Sequence, residues 1–147
     1  MTISCHIYHD IFLLEGWRFK VKDTKVIYGN KVRTNNNDSS IFSKKWEEFL
    51  QNKVNSDIYA IYSNYESDYT GDFDFMIGTE EMAGEDSITI ENGDYYVWEV
   101  ESNGLNSVGK AWREIWESDL PRAYKTDYEI YKQNGSIAIY LSVLPKS

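Results

Sequence analysis

Glu129 and the tyrosines near it are the residues of this 147-residue chain best suited to chemistry. They lie in a segment in which Asn134-Gly135 separates two stretches of alternating polarity. This dipeptide predicts a two-residue type I′ turn, so the segment is predicted to be a β-hairpin. If the purely apolar face of the second strand meets the core, Glu129 shares the other face with Tyr131 and Tyr140. A carboxylate among aromatic rings is a site for a lipophilic cation, whereas the same alternation also fits a solvent-facing edge strand.

The composition of the chain limits the classes of function that it can serve. Hydrophobic residues make up 41% and charged residues 27%, as expected for a globular protein, and the length predicts a single domain over residues 1–147. The aromatic share of 16% fits either a tyrosine-rich β core or an aromatic cavity. The net charge of −9 argues against direct nucleic-acid binding, because an acidic surface repels phosphates.

The cellular compartment and the cofactors are predicted from a few residues. Cys5 is the single cysteine, so no internal disulfide can form and a cytoplasmic location is expected. No secretion signal is recognised and no run approaches the ~18 apolar residues of a membrane span, so no membrane partner is expected. Cys5, His6 and His9 are an incomplete ligand set, and the acidic loop 66–72 lacks the ligand ladder of an EF-hand. Neither a metal nor another cofactor is predicted.

Two helices are predicted, at 41–53 and 107–118, because apolar residues recur there at helical spacing. Ser39 or Ser40 is expected to cap the first helix. Short alternating segments before, between and after the helices predict strands. The apolar face of the first helix is formed by Phe42, Trp46, Phe49 and Leu50.

The order strand, helix, strand, strand occurs twice along the chain, which indicates an internal duplication. Trp46 and Trp112 occupy matching helix positions, and Tyr62 follows Trp46 by the interval that separates Tyr128 from Trp112. The predicted fold is therefore α+β. It consists of duplicated βαββ units with pseudo-twofold symmetry, a mainly antiparallel sheet, two main helices and a central ligand cleft.

Several short segments match those of one protein family in order and spacing. They are Tyr28-Gly29, Val32–Asn35, Trp46–Phe49, Tyr59–Asp68, Met76–Gly78, Trp112–Trp116, Asp127–Tyr131 and Ile139–Val143. Through them the chain resembles, over about residues 25–144, the GyrI-like or AraC-type effector-binding domains, which include stand-alone integron-associated effector-binding proteins. Residues 1–20 lie outside this resemblance and are expected to form an extra N-terminal strand segment.

The resemblance implies a central pocket that binds lipophilic, often cationic, compounds with an acidic residue ringed by aromatic side chains. The Asp-Tyr-Glu-Ile-Tyr match places this acid at Glu129, and the last strand places a pocket tyrosine at Tyr140. Ala138 stands where some relatives carry a second acid. Trp46 is interpreted as a core residue. The further candidates for ligand contact, for each of which core packing is the alternative, are Tyr62, Tyr65, Trp98 and Trp112.

The resemblance leaves three functions open. The leading one is non-catalytic: a protein without a DNA-binding domain of its own that senses or sequesters a lipophilic, cationic or aromatic small molecule. The first alternative is a hydrolase of reactive electrophilic compounds, with Glu129 as general base and Trp112 packing the substrate. The second is a protein-binding module similar to gyrase inhibitors. A homodimer or a separate regulatory partner stays open in each case.

Overall fold

The structure is a computed structural model that describes residues 18–21, 23–81, 84–100 and 105–145. Cys5, His6, His9 and most of the expected N-terminal strand segment lie outside the described residues. Within the described ranges the chain forms nine strands and two helices. They are β1 (Arg18–Val21), β2 (Lys25–Gly29), β3 (Val32–Thr34), α1 (Ser39–Phe49), β4 (Ile58–Ser63), β5 (Phe73–Thr79), β6 (Asp86–Ile90), β7 (Gly93–Val100), α2 (Leu105–Trp116), β8 (Thr126–Tyr131) and β9 (Ile137–Ser142).

The strands form one antiparallel sheet in the order β1-β7-β9-β8-β4-β5-β2-β6, and β3 also pairs with β5. Only Glu91 and Asn92 separate β6 from β7, although the two strands lie towards opposite ends of the sheet. A connection of this length reaches about 11 Å when fully extended. The sheet therefore has to curl until its two ends approach each other.

The two halves of the sheet are arranged alike about its centre. The strands β2, β5 and β4 form one half, β7, β9 and β8 form the other, and β4 pairs with β8 between them. Each half is a strand followed by a helix and then a hairpin, which is the predicted βαββ order. The predicted α+β class, with a mainly antiparallel sheet and two main helices, is confirmed.

The predicted correspondence between Tyr62 and Tyr128 is wrong. Tyr62 lies opposite Asp127, and Tyr128 lies opposite Ile61. Because paired residues share a face and successive residues alternate, Tyr62 and Tyr128 lie on opposite faces of the sheet. The equal intervals in the sequence therefore do not reflect equivalent positions in the two halves.

The hairpin of β8 and β9 is confirmed, but its turn is not the predicted two-residue type I′ turn. Five residues separate the paired Tyr131 and Ile137. The Gly135 N–H donates to the Lys132 carbonyl at 2.9 Å, and Gly135 has a φ of +93°, whereas Asn134 does not enter the positive-φ region. This geometry is a turn followed by a glycine bulge, in which only the glycine needs positive φ.

The register of the same hairpin overturns the predicted distribution of side chains. Glu129 is paired with Ile139, while Tyr140 is paired with Tyr128 on the other side of the sheet. Glu129 therefore lies on the face with the apolar residues of β9, and its predicted sharing of a face with Tyr140 is wrong. The prediction assumed that one face alone is buried, whereas hydrophobic clusters cover both faces of this sheet.

The helices begin and end earlier than predicted, and both pack on the face that carries Glu129. The Asp38 carbonyl receives the first helical hydrogen bond of α1, and Ser40 donates to the Asp38 side chain, so neither predicted serine is the cap. Leu50 lies just beyond α1 with 64% of its surface exposed, and so does not belong to the buried face. No described helix is long and apolar enough to cross a membrane.

Candidate ligand-binding site

A cavity of about 1000 Å³ lies between the two helices. Its floor is formed by β4 and β8, and its walls by α1, α2 and the loop that joins β4 to β5. The volume is at the upper end of the range usual for small-molecule sites. Its aromatic lining consists of Phe42, Trp46, Tyr62, Tyr65, Tyr69, Phe73, Trp112, Trp116 and Tyr131.

Glu129 is the acidic residue on the floor of this cavity, and only 2% of its surface is exposed. Its Oε2 accepts hydrogen bonds from the Tyr62 hydroxyl at 2.6 Å and from Trp112 Nε1 at 2.7 Å. Its Oε1 accepts a hydrogen bond from the Tyr131 hydroxyl. These three donors come from β4, α2 and β8, so the carboxylate joins both halves of the fold.

All three donors to Glu129 are neutral. Burial is the main cause that raises the pKa of Tyr62 and of Tyr131, and the nearby Glu129 raises both further. Both hydroxyls therefore stay protonated and donate. Burial raises the pKa of Glu129 itself, and the bonds from Tyr131, Tyr62 and Trp112 oppose this rise without cancelling it. The net upward direction means that ionising Glu129 in this site is less favourable than in water.

A second acid, Asp127, lies two residues before Glu129 on the same strand face, and it is fully buried. Its Oδ2 accepts from the Tyr65 hydroxyl at 2.7 Å and from Arg122 Nη2 at 2.9 Å. Its Oδ1 accepts from the backbone N–H of Ser142 at 2.7 Å and from the hydroxyl of the same residue at 2.8 Å. Unlike Glu129, Asp127 therefore has a positively charged partner.

That partner, Arg122, also lines the cavity. Its guanidinium lies 5.7 Å from the centre of the Trp112 ring and 4.3 Å from that of Tyr124. Burial lowers the pKa of Arg122, but Asp127, Tyr65 and Tyr124 together outweigh burial, so the net shift is upward and the guanidinium stays charged.

Aromatic pairs fix the walls of the cavity to its floor. Trp46 of α1 meets Tyr131 of β8 edge to face, with ring centres 5.0 Å apart, and Trp112 of α2 meets Tyr62 of β4 in the same way at 5.1 Å. Such pairs contribute about 0.5–1.5 kcal/mol each beyond the area that they bury. Both helices are therefore held over the strands by side chains that also line the cavity.

The structure brings together four of the six residues predicted to contact a ligand. Glu129, Tyr62, Tyr65 and Trp112 all line the cavity. The other two do not line it, and both pack elsewhere. Trp98 is buried beneath α2 in a hydrophobic cluster, and Tyr140 stacks on Tyr128 on the opposite face of the sheet, with ring centres 4.8 Å apart.

Several residues of the site were missed from the sequence. Tyr131 lies two residues after Glu129, and alternation predicts it on the same face, but it is not among the predicted ligand contacts. Trp46 was interpreted as core, although it both packs against the core and lines the cavity. Arg122 follows a proline in an irregular segment, where no periodicity signals which way a side chain points.

Comparison with known proteins identifies the family. The family model described as Cass2, integron-associated effector binding protein, matches residues 18–143. Comparison with the curated proteins gives no match. Among solved structures, an integron cassette protein from the mobile metagenome of Vibrio cholerae is similar at 26% identity, with a TM-score of 0.76 and coverage of 86% of this chain and 94% of that chain.

Two further solved structures share the fold at 16% identity each. One is a Staphylococcus aureus protein assigned to bacterial transcription regulation, with a TM-score of 0.68 and coverage of 87% of this chain and 97% of that chain. The other is a protein solved with bound tetraphenylphosphonium, with a TM-score of 0.60 and coverage of 86% and 92%. Since the family model spans nearly all of the described residues, the chain belongs to the integron-associated effector-binding protein family.

Proposed function

We propose that this protein binds a lipophilic, cationic aromatic compound in the cavity between α1 and α2, without transforming it. One observation carries the proposal: Glu129 is a buried carboxylate on the floor of an aromatic cavity, and its three hydrogen-bond donors are all neutral. Membership of an effector-binding family supports small-molecule binding in general. The buried acid supports the choice of a cation.

The physical argument rests on what an ionised Glu129 lacks. A buried carboxylate is unfavourable unless a positive charge accompanies it, and no charged donor contacts Glu129 among the described residues. A bound cation provides that charge and is further attracted to the faces of the aromatic rings, by about 0.5–2 kcal/mol for each well-placed ring. An amphiphilic cation therefore gains more from this cavity than a neutral compound of the same shape.

A related fold has been seen with a ligand of this class. The neighbour solved with tetraphenylphosphonium carries a permanent cation shielded by four phenyl rings. The cavity of the present chain offers aromatic surfaces on every wall together with the buried acid Glu129. Tetraphenylphosphonium is therefore the natural first probe for this protein.

The surroundings of Glu129 favour binding over hydrolysis. A general base must accept a proton from water within hydrogen-bonding reach. Both oxygens of Glu129 already accept from Tyr62, Trp112 or Tyr131, so a water molecule would have to displace or crowd one of these donors. These bonds do not hinder a cation that lies over the rings.

The test is calorimetric titration with tetraphenylphosphonium. Glu129→Gln is expected to weaken binding about 30-fold or more, since losing a buried charge partner costs upwards of about 2 kcal/mol. Glu99→Gln is the matched control, because it removes the same charge from an exposed position on β7 and should change the affinity less than about twofold. Equal effects of the two variants would contradict the proposal.

Catalysis is tested separately with styrene oxide, a small aromatic epoxide. After incubation with the protein, mass spectrometry should recover the epoxide with no more hydration than in buffer alone. If wild type accelerates diol formation and Glu129→Gln abolishes it, the protein is a hydrolase. The proposal that the ligand is released without chemical change would then be wrong.

A further inference from the structure

Besides Glu129, the charged residues that line the cavity are Glu47, Arg113 and Arg122. Glu47 and Arg113 are exposed, whereas Arg122 is buried, and the proposed function makes no use of it. It is anchored to Asp127, which is two residues from Glu129 on the same face of β8. Two residues along a strand correspond to about 7 Å. The cavity therefore presents a buried acid and a buried guanidinium at neighbouring positions.

The guanidinium uses only part of its hydrogen-bonding capacity. Nη2 donates to Asp127 at 2.9 Å, whereas neither Nε nor Nη1 meets an acceptor within the part of the chain that the structure describes. The side chain is only 4% exposed. A buried cationic donor without an acceptor is unfavourable, and such groups call for an explanation such as a ligand or a bound water.

Asp127 cannot take up these spare donors. Each of its oxygens already accepts two hydrogen bonds, from Ser142 on Oδ1 and from Tyr65 and Arg122 on Oδ2. A bidentate arginine–carboxylate pair, which would use both edges of the two groups, is therefore not formed. The arrangement holds Arg122 by one nitrogen and leaves Nε and Nη1 without an acceptor among the described residues.

The surroundings also fix the position of the guanidinium. It lies 5.7 Å from the centre of the Trp112 ring and 4.3 Å from that of the Tyr124 ring, and Tyr124 adopts a φ of +52°, which is uncommon for a bulky residue. Trp112 in turn donates to Glu129. One indole therefore contacts both charged positions, and a ligand that lies against it can reach the acid and the arginine together.

We propose that Arg122 is a second ligand-binding position, which receives an oxygen acceptor of the ligand, a carboxylate above all. The ligand class is then an aromatic cation with an acceptor arm, so that its positive centre lies near Glu129 and its oxygen lies at Arg122. This inference rests on the proposed function for the cationic end of the ligand. It adds a preference that an acid among aromatic rings would not produce.

The experiment compares two probes that differ in one group. (4-Carboxyphenyl)triphenylphosphonium carries the acceptor arm, and (4-methylphenyl)triphenylphosphonium has the same cation and nearly the same shape without an acceptor. The wild-type protein is expected to bind the carboxylate probe at least about tenfold more tightly, which corresponds to about 1.4 kcal/mol. Equal affinities, or weaker binding of the carboxylate probe, would overturn the inference.

Arg122→Lys tests the residue itself. Lysine keeps a positive charge for Asp127 but loses the planar fork, so the ratio of the two affinities should fall at least about fivefold. An unchanged ratio in a folded variant would assign the carboxylate to another position and overturn the inference. Circular dichroism of the free variant establishes that it is folded.

A measurement on the wild-type protein alone covers the case in which Arg122→Lys does not fold. With the carboxyl carbon of the probe labelled with ¹³C, NMR titration gives the pKa of that carboxyl in the complex. Contact with Arg122 should lower this pKa below that of the free probe, whereas an arm that points to solvent or approaches Glu129 would leave it unchanged or raise it. Either of the latter results would overturn the inference.

The outcomes separate this inference from the proposed function. Binding of the methyl probe with no gain from the carboxylate would leave the cationic site standing and remove the role of Arg122. If only the carboxylate probe binds, the role of Arg122 is supported, and a site that selects its ligand by the cation is contradicted. Failure of both probes to bind would overturn both.

Discussion

Asp127 and Glu129 lie on one face of β8 but have different hydrogen-bond partners. Asp127 is paired with Arg122 and accepts four hydrogen bonds, one of them from a charged group. Glu129 is as deeply buried, yet within the described part of the chain it accepts only from two tyrosines and a tryptophan. The strand, the face and the burial are shared, so the charge of their hydrogen-bond partners distinguishes the two acids.

Burial by itself does not mark a functional acid. Both oxygens of Asp127 are fully used within the protein, and they tie the segment after α2 to the end of β9. The neutral donors of Glu129 orient its carboxylate towards the cavity, and no positively charged partner accompanies it among the residues that the structure describes. The first arrangement stabilises the fold, and the second is suited to a ligand that supplies the missing charge.

The largest expected effect is on stability, and it falls on Asp127. Asp127→Asn leaves the Arg122 charge buried without its anionic partner, which typically costs about 3–5 kcal/mol. Denaturation with urea should show this loss, and Glu129→Gln should lose clearly less in the same assay. If Glu129→Gln proves the more destabilising of the two, the division between a structural and a binding acid is wrong.

A smaller effect is expected when one neutral donor is removed. Tyr131→Phe deletes the hydroxyl that donates to Glu129, at a cost of about 1–3 kcal/mol, and should raise the pKa of this carboxyl further. NMR titration of the ¹³C-labelled carboxyl measures that pKa. Tyr65→Phe is the matched control, because its hydroxyl donates to Asp127, and it should leave the pKa of Glu129 where it was.

The raised pKa of Glu129 also predicts how stability changes with pH. Because burial raises its pKa in the folded protein above the ordinary 4.5, the folded state holds the proton more tightly than the unfolded chain. The contribution to stability is full below pH 4.5 and is lost as the pH rises through the folded pKa. The slope of this loss is at most about 1.4 kcal/mol per pH unit.

The pH effect is isolated by comparing wild type with Glu129→Gln, which shares every other titrating group. The difference in their free energies of unfolding should change as the pH rises from 4.5, with wild type losing relative stability. A flat difference, or one that favours wild type at higher pH, would show that Glu129 is not the group whose charge is disfavoured.

The smallest effect expected is that of Tyr140→Phe. Tyr140 was predicted to contact the ligand, but it lies on the opposite face of the sheet from Glu129. The affinity for tetraphenylphosphonium should therefore change less than about twofold, whereas Trp112→Phe should weaken binding because it removes both a ring of the cavity and a donor to Glu129. A larger effect of Tyr140→Phe would require a second site on that face.

Much of the fold could be predicted because local patterns determine it. The two helices have a single apolar stripe each, and the hairpin near the C-terminus alternates clearly, so their existence and order follow from periodicity. Boundaries shifted by about two to four residues, since caps and last turns depend on local hydrogen bonds such as that of Ser40 to Asp38.

The candidate site was predicted only in part, because its geometry depends on register. Alternation divides β9 into two sets of side chains, but it cannot say which set faces Glu129 when both faces of the sheet are buried. Ile139 and Tyr140 are the two candidates for that place, and pairing with β8 decides for Ile139. Arg122 could not be predicted at all, since its position follows from the tertiary path of the chain between α2 and β8.

The central claim is that the charge of Glu129 selects a cation, and a pair of ions of equal shape and opposite charge tests it most directly. Calorimetry would give the affinities of tetraphenylphosphonium and tetraphenylborate for wild type and for Glu129→Gln. We expect wild type to prefer the cation strongly. The ratio of the affinity for the cation to that for the anion should be at least about tenfold smaller in the variant, which corresponds to about 1.4 kcal/mol. The same preference in both proteins would contradict the account.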